Sequence, residues 1–115
     1  MNDIPVKKVV QDIGSSYFYD EVSDSYHPDP SVLKIFGLIK DDIAHSKITG
    51  EGFWEKREEG LRIALQGLSE SEFDVILRFT YNLDPEAVGG SKSFFERLYS
   101  IISDAIAEAR RRQSP

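Results

Sequence analysis

Apolar positions along the chain fall into blocks with helical spacing, separated by short clusters of turn-forming residues. Val6, Val9, Val10 and Ile13 recur at the three- and four-residue steps of one helix face, with Asp3 as the expected N-cap and Gly14 as the expected stop. A second block, Val32, Leu33, Ile35, Phe36, Leu38, Ile39 and Ile43, follows the Pro-Asp-Pro turn at 28–30. It predicts a helix from Asp29, with Pro30 in its first turn, to His45, and its apolar density places it centrally in the core. A third helix is expected to start at Thr49 as N-cap, with Ile48 and Phe53 in a staple, and to run through Trp54, Leu61, Ile63, Ala64 and Leu65 to Gly67.

Ser69 and Glu72 have capping-box spacing, and Leu68 and Phe73 sit at staple positions around them. The helix they open carries Phe73, Val75, Ile76, Phe79 and Leu83. Asp84-Pro85 and Gly89-Gly90 predict a turn region, after which Ser93 and Glu96 repeat the capping-box spacing. The last helix then carries Phe94, Phe95, Leu98, Tyr99, Ile101, Ile102, Ala105, Ile106 and Ala109. Without any convincing β alternation, this pattern predicts an all-α fold, a small antiparallel helical bundle of four to five helices with a short N-terminal helix. Residues 14–29 are expected to form an irregular acidic arm and residues 110–115 a frayed tail, the whole chain of 1–115 making one domain.

Composition narrows the function more than the fold. The 115 residues are 40% hydrophobic and 30% charged, enough for one modest core. There is no cysteine, so stability rests on packing, and the chain suits a reducing compartment. The N-terminal MNDIPVKKVVQDIG has no apolar signal region, and no stretch approaches the roughly 18 apolar residues of a membrane span. A soluble, cytoplasmic protein with no membrane contact is expected.

The formal net charge of -6 argues against nucleic acid as a partner, because phosphate binding needs clustered Lys and Arg. Between Lys8 and Lys34 stand Asp12, Asp20, Glu21, Asp24 and Asp29 with no Lys or Arg, a local field suited to a basic protein partner. Tyr17, Tyr19 and Tyr26 are interleaved with these acids. Tyrosines give large contact areas at low entropy cost, and neighbouring carboxylates pair with Lys or Arg across an interface. The plainer alternative is that Tyr17, Phe18 or Tyr26 pins the loop to the bundle.

No catalytic or metal chemistry is compelling. Asp41 and His45 share a helix face, but a metal site needs at least three converging ligands, so neither metal nor other cofactor is expected. The adjacent acids Asp41/Asp42 and Glu58/Glu59 point roughly 100° apart on a helix and face no common substrate. Gly50-Glu51-Gly52 and Gly89-Gly90 lack phosphate-binding spacing, and no Ser-His-acid set can be assembled. The chain is therefore not expected to be an enzyme. Arg110, Arg111 and Arg112 suit a helix C-terminus, whose dipole favours cations. Phe53 and Trp54 cannot share one narrow helix stripe, so one of them is expected at the surface or against the N-terminal segment.

The stretch Ser46-Lys47-Ile48-Thr49, followed by Phe53, Glu55, Lys56 and Arg57, resembles the helix-to-helix junction of bacterial immunity proteins of the colicin D type and of contact-dependent inhibition systems. The resemblance covers about residues 38 to 60. It implies a cytoplasmic antidote that occupies the active cleft of a cationic nuclease toxin, with carboxylates standing in for substrate phosphates. Asp20, Glu21 and Asp24, or alternatively Glu51, Glu55, Glu58 and Glu59, would supply that charge. The long tyrosine-bearing N-terminal arm departs from the family. The competing expectation is a structural or regulatory helical protein that self-associates, as a homodimer for instance, through an apolar face of the first or last helix, the last offering Phe94, Phe95, Leu98, Tyr99, Ile102 and Ile106.

Overall fold

The computed structural model describes residues 6–18, 28–48 and 52–113, with residues 28–31 described by their backbone alone. The elements are α1 (Val6–Ile13), continued by a π-helical turn (Gly14–Phe18), α2 (Pro28–Ala44), α3 (Phe53–Gly67), α4 (Glu70–Thr80), a 3₁₀ turn (Glu86–Val88) and α5 (Ser91–Gln113). The fold is all-α, with no strand among the described residues, and no helix among them is long and apolar enough to cross a membrane. The expectations placed on Asp3, Tyr19, Asp20, Glu21, Asp24, Tyr26, Thr49 and Glu51 lie outside the described residues.

α5 is the spine, 23 residues long and therefore about 34 Å. α2 and α3 both pack against it, α1 packs on α3, and α4 crosses near its start. Phe36 meets Phe94 at 5.8 Å between ring centroids, while the Gln113 side chain donates to the Ser46 carbonyl at 2.7 Å and accepts from the Ile48 N–H at 2.9 Å. α2 and α5 thus run parallel. α3 runs antiparallel to both, because Glu70, just past its end, accepts the Lys92 N–H at the start of α5. Val9 against Gly60 and Tyr17 against Trp54 make α1 antiparallel to α3.

The densest part of the core is aromatic. Phe94 touches Phe18 at 5.5 Å, Tyr81 at 5.7 Å and Phe95 at 5.2 Å, all three contacts edge-to-face. The buried Tyr81 hydroxyl donates to the Val10 carbonyl at 2.6 Å, and burial holds its pKa well above the ordinary tyrosine value.

Local signals were partly overridden by packing. Gly14 does not end the helical path: the chain continues into the π turn and Phe18 is fully buried, so the segment expected to be irregular over 14–29 is helical over 14–18 and again from Pro28, and its middle lies outside the described residues. Gly14 is needed for close approach, since a Cβ there would lie 2.5 Å from the Tyr81 ring. α3 starts after Gly52, which makes Phe53 its first residue and leaves that ring 64% exposed rather than stapled, while Trp54 is the buried member of the pair. α4 ends at Thr80 because Asn82 is left-handed (φ 57), and the Leu83 N–H turns back to the Leu77 carbonyl at 3.1 Å. Ser93 and Glu96 lie exposed inside α5, which starts at Ser91. Its opening donors are met by Gly90, whose carbonyl takes the Phe94 N–H, and by Glu70, with Ser91 bonded to Asp74. The expected frayed tail is helical to Gln113, tied by that side chain to the end of α2.

The Ser69–Glu72 capping box forms in full, with Leu68 half-buried and Phe73 buried beside it. The Ser69 backbone N–H, followed by the Lys7 ammonium at 3.0 Å, holds the Glu72 pKa below its ordinary value of 4.5. A depressed folded-state pKa contributes stability that is complete above 4.5 and lost as pH falls through the lowered value. Urea midpoints measured between about pH 5 and pH 3 should therefore fall more steeply for the wild type than for Glu72→Gln, whose amide preserves the box geometry without the charge. Parallel profiles would assign no linkage to this carboxylate.

Candidate functional site

The end of α1, the last third of α2 and the first turn of α3 converge on Tyr17, Asp42, Phe53, Trp54 and Arg57. The π turn directs Tyr17 outward while Phe18 enters the core, so adjacent residues anchor and present. The Tyr17 hydroxyl donates to the Asp42 carboxylate, and its ring lies 5.8 Å from Trp54. Burial raises the Tyr17 pKa above the ordinary tyrosine value, and the bond to Asp42 raises it further.

Arg57 folds back along α3, its guanidinium 3.7 Å from the Phe53 ring centroid and 4.8 Å from that of Trp54. Such cation–π contacts contribute about 1–2 kcal/mol when desolvated. Arg57 also interacts electrostatically with Tyr17, so a cation, a phenol and a carboxylate from three helical segments come together here. Desolvation lowers the Arg57 pKa, opposed by Tyr17 and Asp12, yet an arginine keeps its proton throughout the physiological range.

Of the acids expected to form a binding face, Glu55 is only 7% exposed and makes an interaction of its own, so it does not belong to an open acidic surface. Its place as third residue of α3 turns it inward. Glu58 and Glu59 are half-buried one turn later, and Glu59 is paired with Arg62. Tyr17 is half-buried at the base of the acidic segment. The apolar stripe offered for self-association is consumed by the core: Phe94, Phe95, Leu98, Ile102 and Ile106 are buried and Tyr99 is half-buried. His45 Nδ1 lies 2.8 Å from the Asp41 carbonyl and 3.7 Å from its carboxylate, while Asp42 turns to Tyr17. No group of three or more metal-ligating side chains occurs among the described residues. Arg111 and Arg112 are both paired with Glu108.

Two other surface features stand out. α4 exposes Val75 and, at 74%, Phe79. Between the parallel α2 and α5 lies an open groove of about 790 Å³, floored by Gly37, Ala44 and Ala105 and rimmed by Lys40, Asp104 and Arg112.

Arg57 and Asp42 were noted in the sequence but not read as members of one site with Tyr17. The spacing of Arg57 from Phe53 (i−4) and Trp54 (i−3) carries a legible cation–π signal. Nothing local joins Asp42 to Tyr17, 25 residues apart. No family model matches the chain, and no curated protein or solved structure is significantly similar to it.

Proposed function

We propose that this chain is a cytoplasmic protein-binding module of the immunity or inhibitor type, not an enzyme, and that it neutralises a basic partner such as a nuclease toxin through an acidic, tyrosine-bearing surface. The observation that supports this reading is the anchoring of Tyr17 and Phe18. Phe18 is locked in the aromatic core and Tyr17 is bonded to Asp42, so in sequence Asp20, Glu21 and Asp24 come soon after a fixed base. Three carboxylates in a stretch of sequence without Lys or Arg would steer a cationic surface towards it. Exposed Phe53, packed on the same Trp54 that Tyr17 touches, adds an aromatic anchor of the kind that dominates interface energetics.

The test compares wild type with a variant carrying Asp20→Asn, Glu21→Gln and Asp24→Asn. Capture from host lysate at low salt, read by mass spectrometry, is expected to give a basic protein with a nuclease domain that the variant loses. The association rate with that purified partner should fall about tenfold or more between low and physiological salt, and the variant should flatten this dependence. Equal capture by both proteins, or association indifferent to salt, would overturn the reading.

A further inference from the structure

α4 buries Phe73, Ile76 and Leu77 in the bundle and turns Val75 and Phe79 outward, 56% and 74% exposed. One turn apart, these two form an apolar stripe along an 11-residue helix, with exposed Ser71 one turn before them. Asp74 and Arg78 flank the stripe on one side, also one turn apart. Asp74 accepts from the Ser91 hydroxyl through one carboxylate oxygen, and the Arg78 side chain is 54% exposed, with Asp84 4.0 Å away. The outer face of α4 is therefore an apolar centre with one acid and one base on the same flank, the acid nearer the helix N-terminus. A second copy laid antiparallel across a two-fold axis level with position 76 brings each Asp74 opposite the other copy's Arg78, because 74 and 78 lie equally far on either side of 76. The same operation sets the two Val75 side chains together at the centre, with one Phe79 ring beyond them at each end.

We propose that the outer face of α4 is a self-association surface, on which a second copy of this chain pairs antiparallel through Val75 and Phe79 and is held in register by reciprocal Asp74–Arg78 pairs. The occupant is a second copy because the flank is complementary to itself. An acidic or a basic partner would gain from one of the two charges and be repelled by the other. An isologous contact also satisfies both pairs at once, since whatever one copy gives the other returns. The surface is small. A helix of 11 residues is about 16 Å long, so the contact falls short of the roughly 800 Å² per partner of a standard interface, and the dimer is weak. The net charge of -6 on each copy adds a repulsion that is screened beyond roughly 8 Å at physiological ionic strength. This face is separate from the acidic surface proposed for a cationic partner, and either can fail without the other.

The test is sedimentation equilibrium of the full chain in about 0.15 M salt, from about 20 µM to 2 mM. The weight-average mass should rise from the 13.0 kDa monomer towards twice that, with a dissociation constant of about 0.1–1 mM. Phe79→Ser, at an exposed position, should weaken association at least about tenfold. Arg78→Asp sets acid against acid and Asp74→Arg sets base against base, so each alone should weaken association about threefold or more, while an equal mixture of the two should associate better than either. Circular dichroism checks that each variant is folded. Because Asp74→Arg also removes the bond to Ser91, a second measurement reads the register with every native charge kept. The chain has no cysteine, so a single introduced one is unambiguous. Under mild oxidation Val75→Cys should cross-link into a dimer, its two sulfurs lying about 3 Å apart along the helix axes, whereas Ser71→Cys, about 15 Å apart, should not. The proposal is overturned if the mass stays at the monomer value over the whole range, if Phe79→Ser associates as wild type does, or if the two cysteine variants cross-link equally. A different protein held by this face and lost with Phe79→Ser, while the chain itself stays monomeric, also overturns it.

Discussion

Replacing Phe94 by alanine is expected to lower the unfolding free energy by about 3–5 kcal/mol. The ring is fully buried, and its neighbours come from separate parts of the chain: Phe18 from the π turn, Phe36 from α2, Tyr81 from the turn after α4 and Phe95 from α5. Rigid rings fixed by four different segments cannot collapse together into the space left behind, so both the transfer and the cavity components of the loss should appear. Against a total stability of about 5–15 kcal/mol for a domain of this size, the loss is a large fraction of the whole. Urea unfolding followed by far-ultraviolet circular dichroism measures it, with the exposed Phe79→Ala as a reference expected to change stability by under about 0.5 kcal/mol. A Phe94→Ala cost below about 1 kcal/mol would mean that the aromatic cluster does not hold the helices together.

Gly14→Ala is the second large effect, and its sign runs against helix propensity. Propensity alone predicts that alanine for glycine inside a helical segment stabilises by roughly 1 kcal/mol. At Gly14, however, the added Cβ would lie 2.5 and 2.6 Å from two Tyr81 ring carbons and 2.9 Å from the Thr80 carbonyl oxygen. Backbone cannot yield as a flexible side chain does, and the Tyr81 ring is held by its bond to Val10 and by its neighbours Phe18, Phe94 and Phe95. Overpacking of this kind costs about 1–3 kcal/mol, so a net loss is expected. Gly37→Ala is the internal comparison: that glycine is exposed in α2 with nothing within 4 Å of an added Cβ, so the same change should stabilise. Melting temperatures that move in the same direction for the two substitutions would refute the close approach of the π turn to Tyr81.

The two glycines illustrate how far local reading reaches. Gly14 was read as the end of a helix and Gly37 lies inside one, so neither was expected to meet a distant side chain. One leaves open space and the other admits a ring that belongs to a residue 67 positions away. The same contrast separates the two expected capping boxes. Ser69 and Glu72 close theirs as their spacing predicts, because donor and acceptor both lie within one turn. Ser93 and Glu96 have the same spacing, but Glu70 and Asp74 of α4 reach the start of α5 first, and the helix opens three residues earlier.

The site divides in the same way. Tyr17 was legible as a surface candidate because aromatic and acidic residues alternate around it, and the exposure of either Phe53 or Trp54 followed from their adjacency on one helix. Glu55 was read as a surface acid from the family resemblance and is buried, because the face of α3 that turns inward is set by its packing on α1 and α5.

Periodicity and capping chemistry act over a turn or two, so the amino-acid order alone was enough to decide the all-α class, the capping box and turn at the two ends of α4, and an apolar last helix. Packing decided the rest. The parallel pairing of α2 with α5, the π turn that carries Phe18 inward, and the joining of Tyr17, Asp42 and Arg57 depend on side chains that meet only once the helices have docked, and no signal confined to a few neighbouring residues can encode a partner that arrives from another helix.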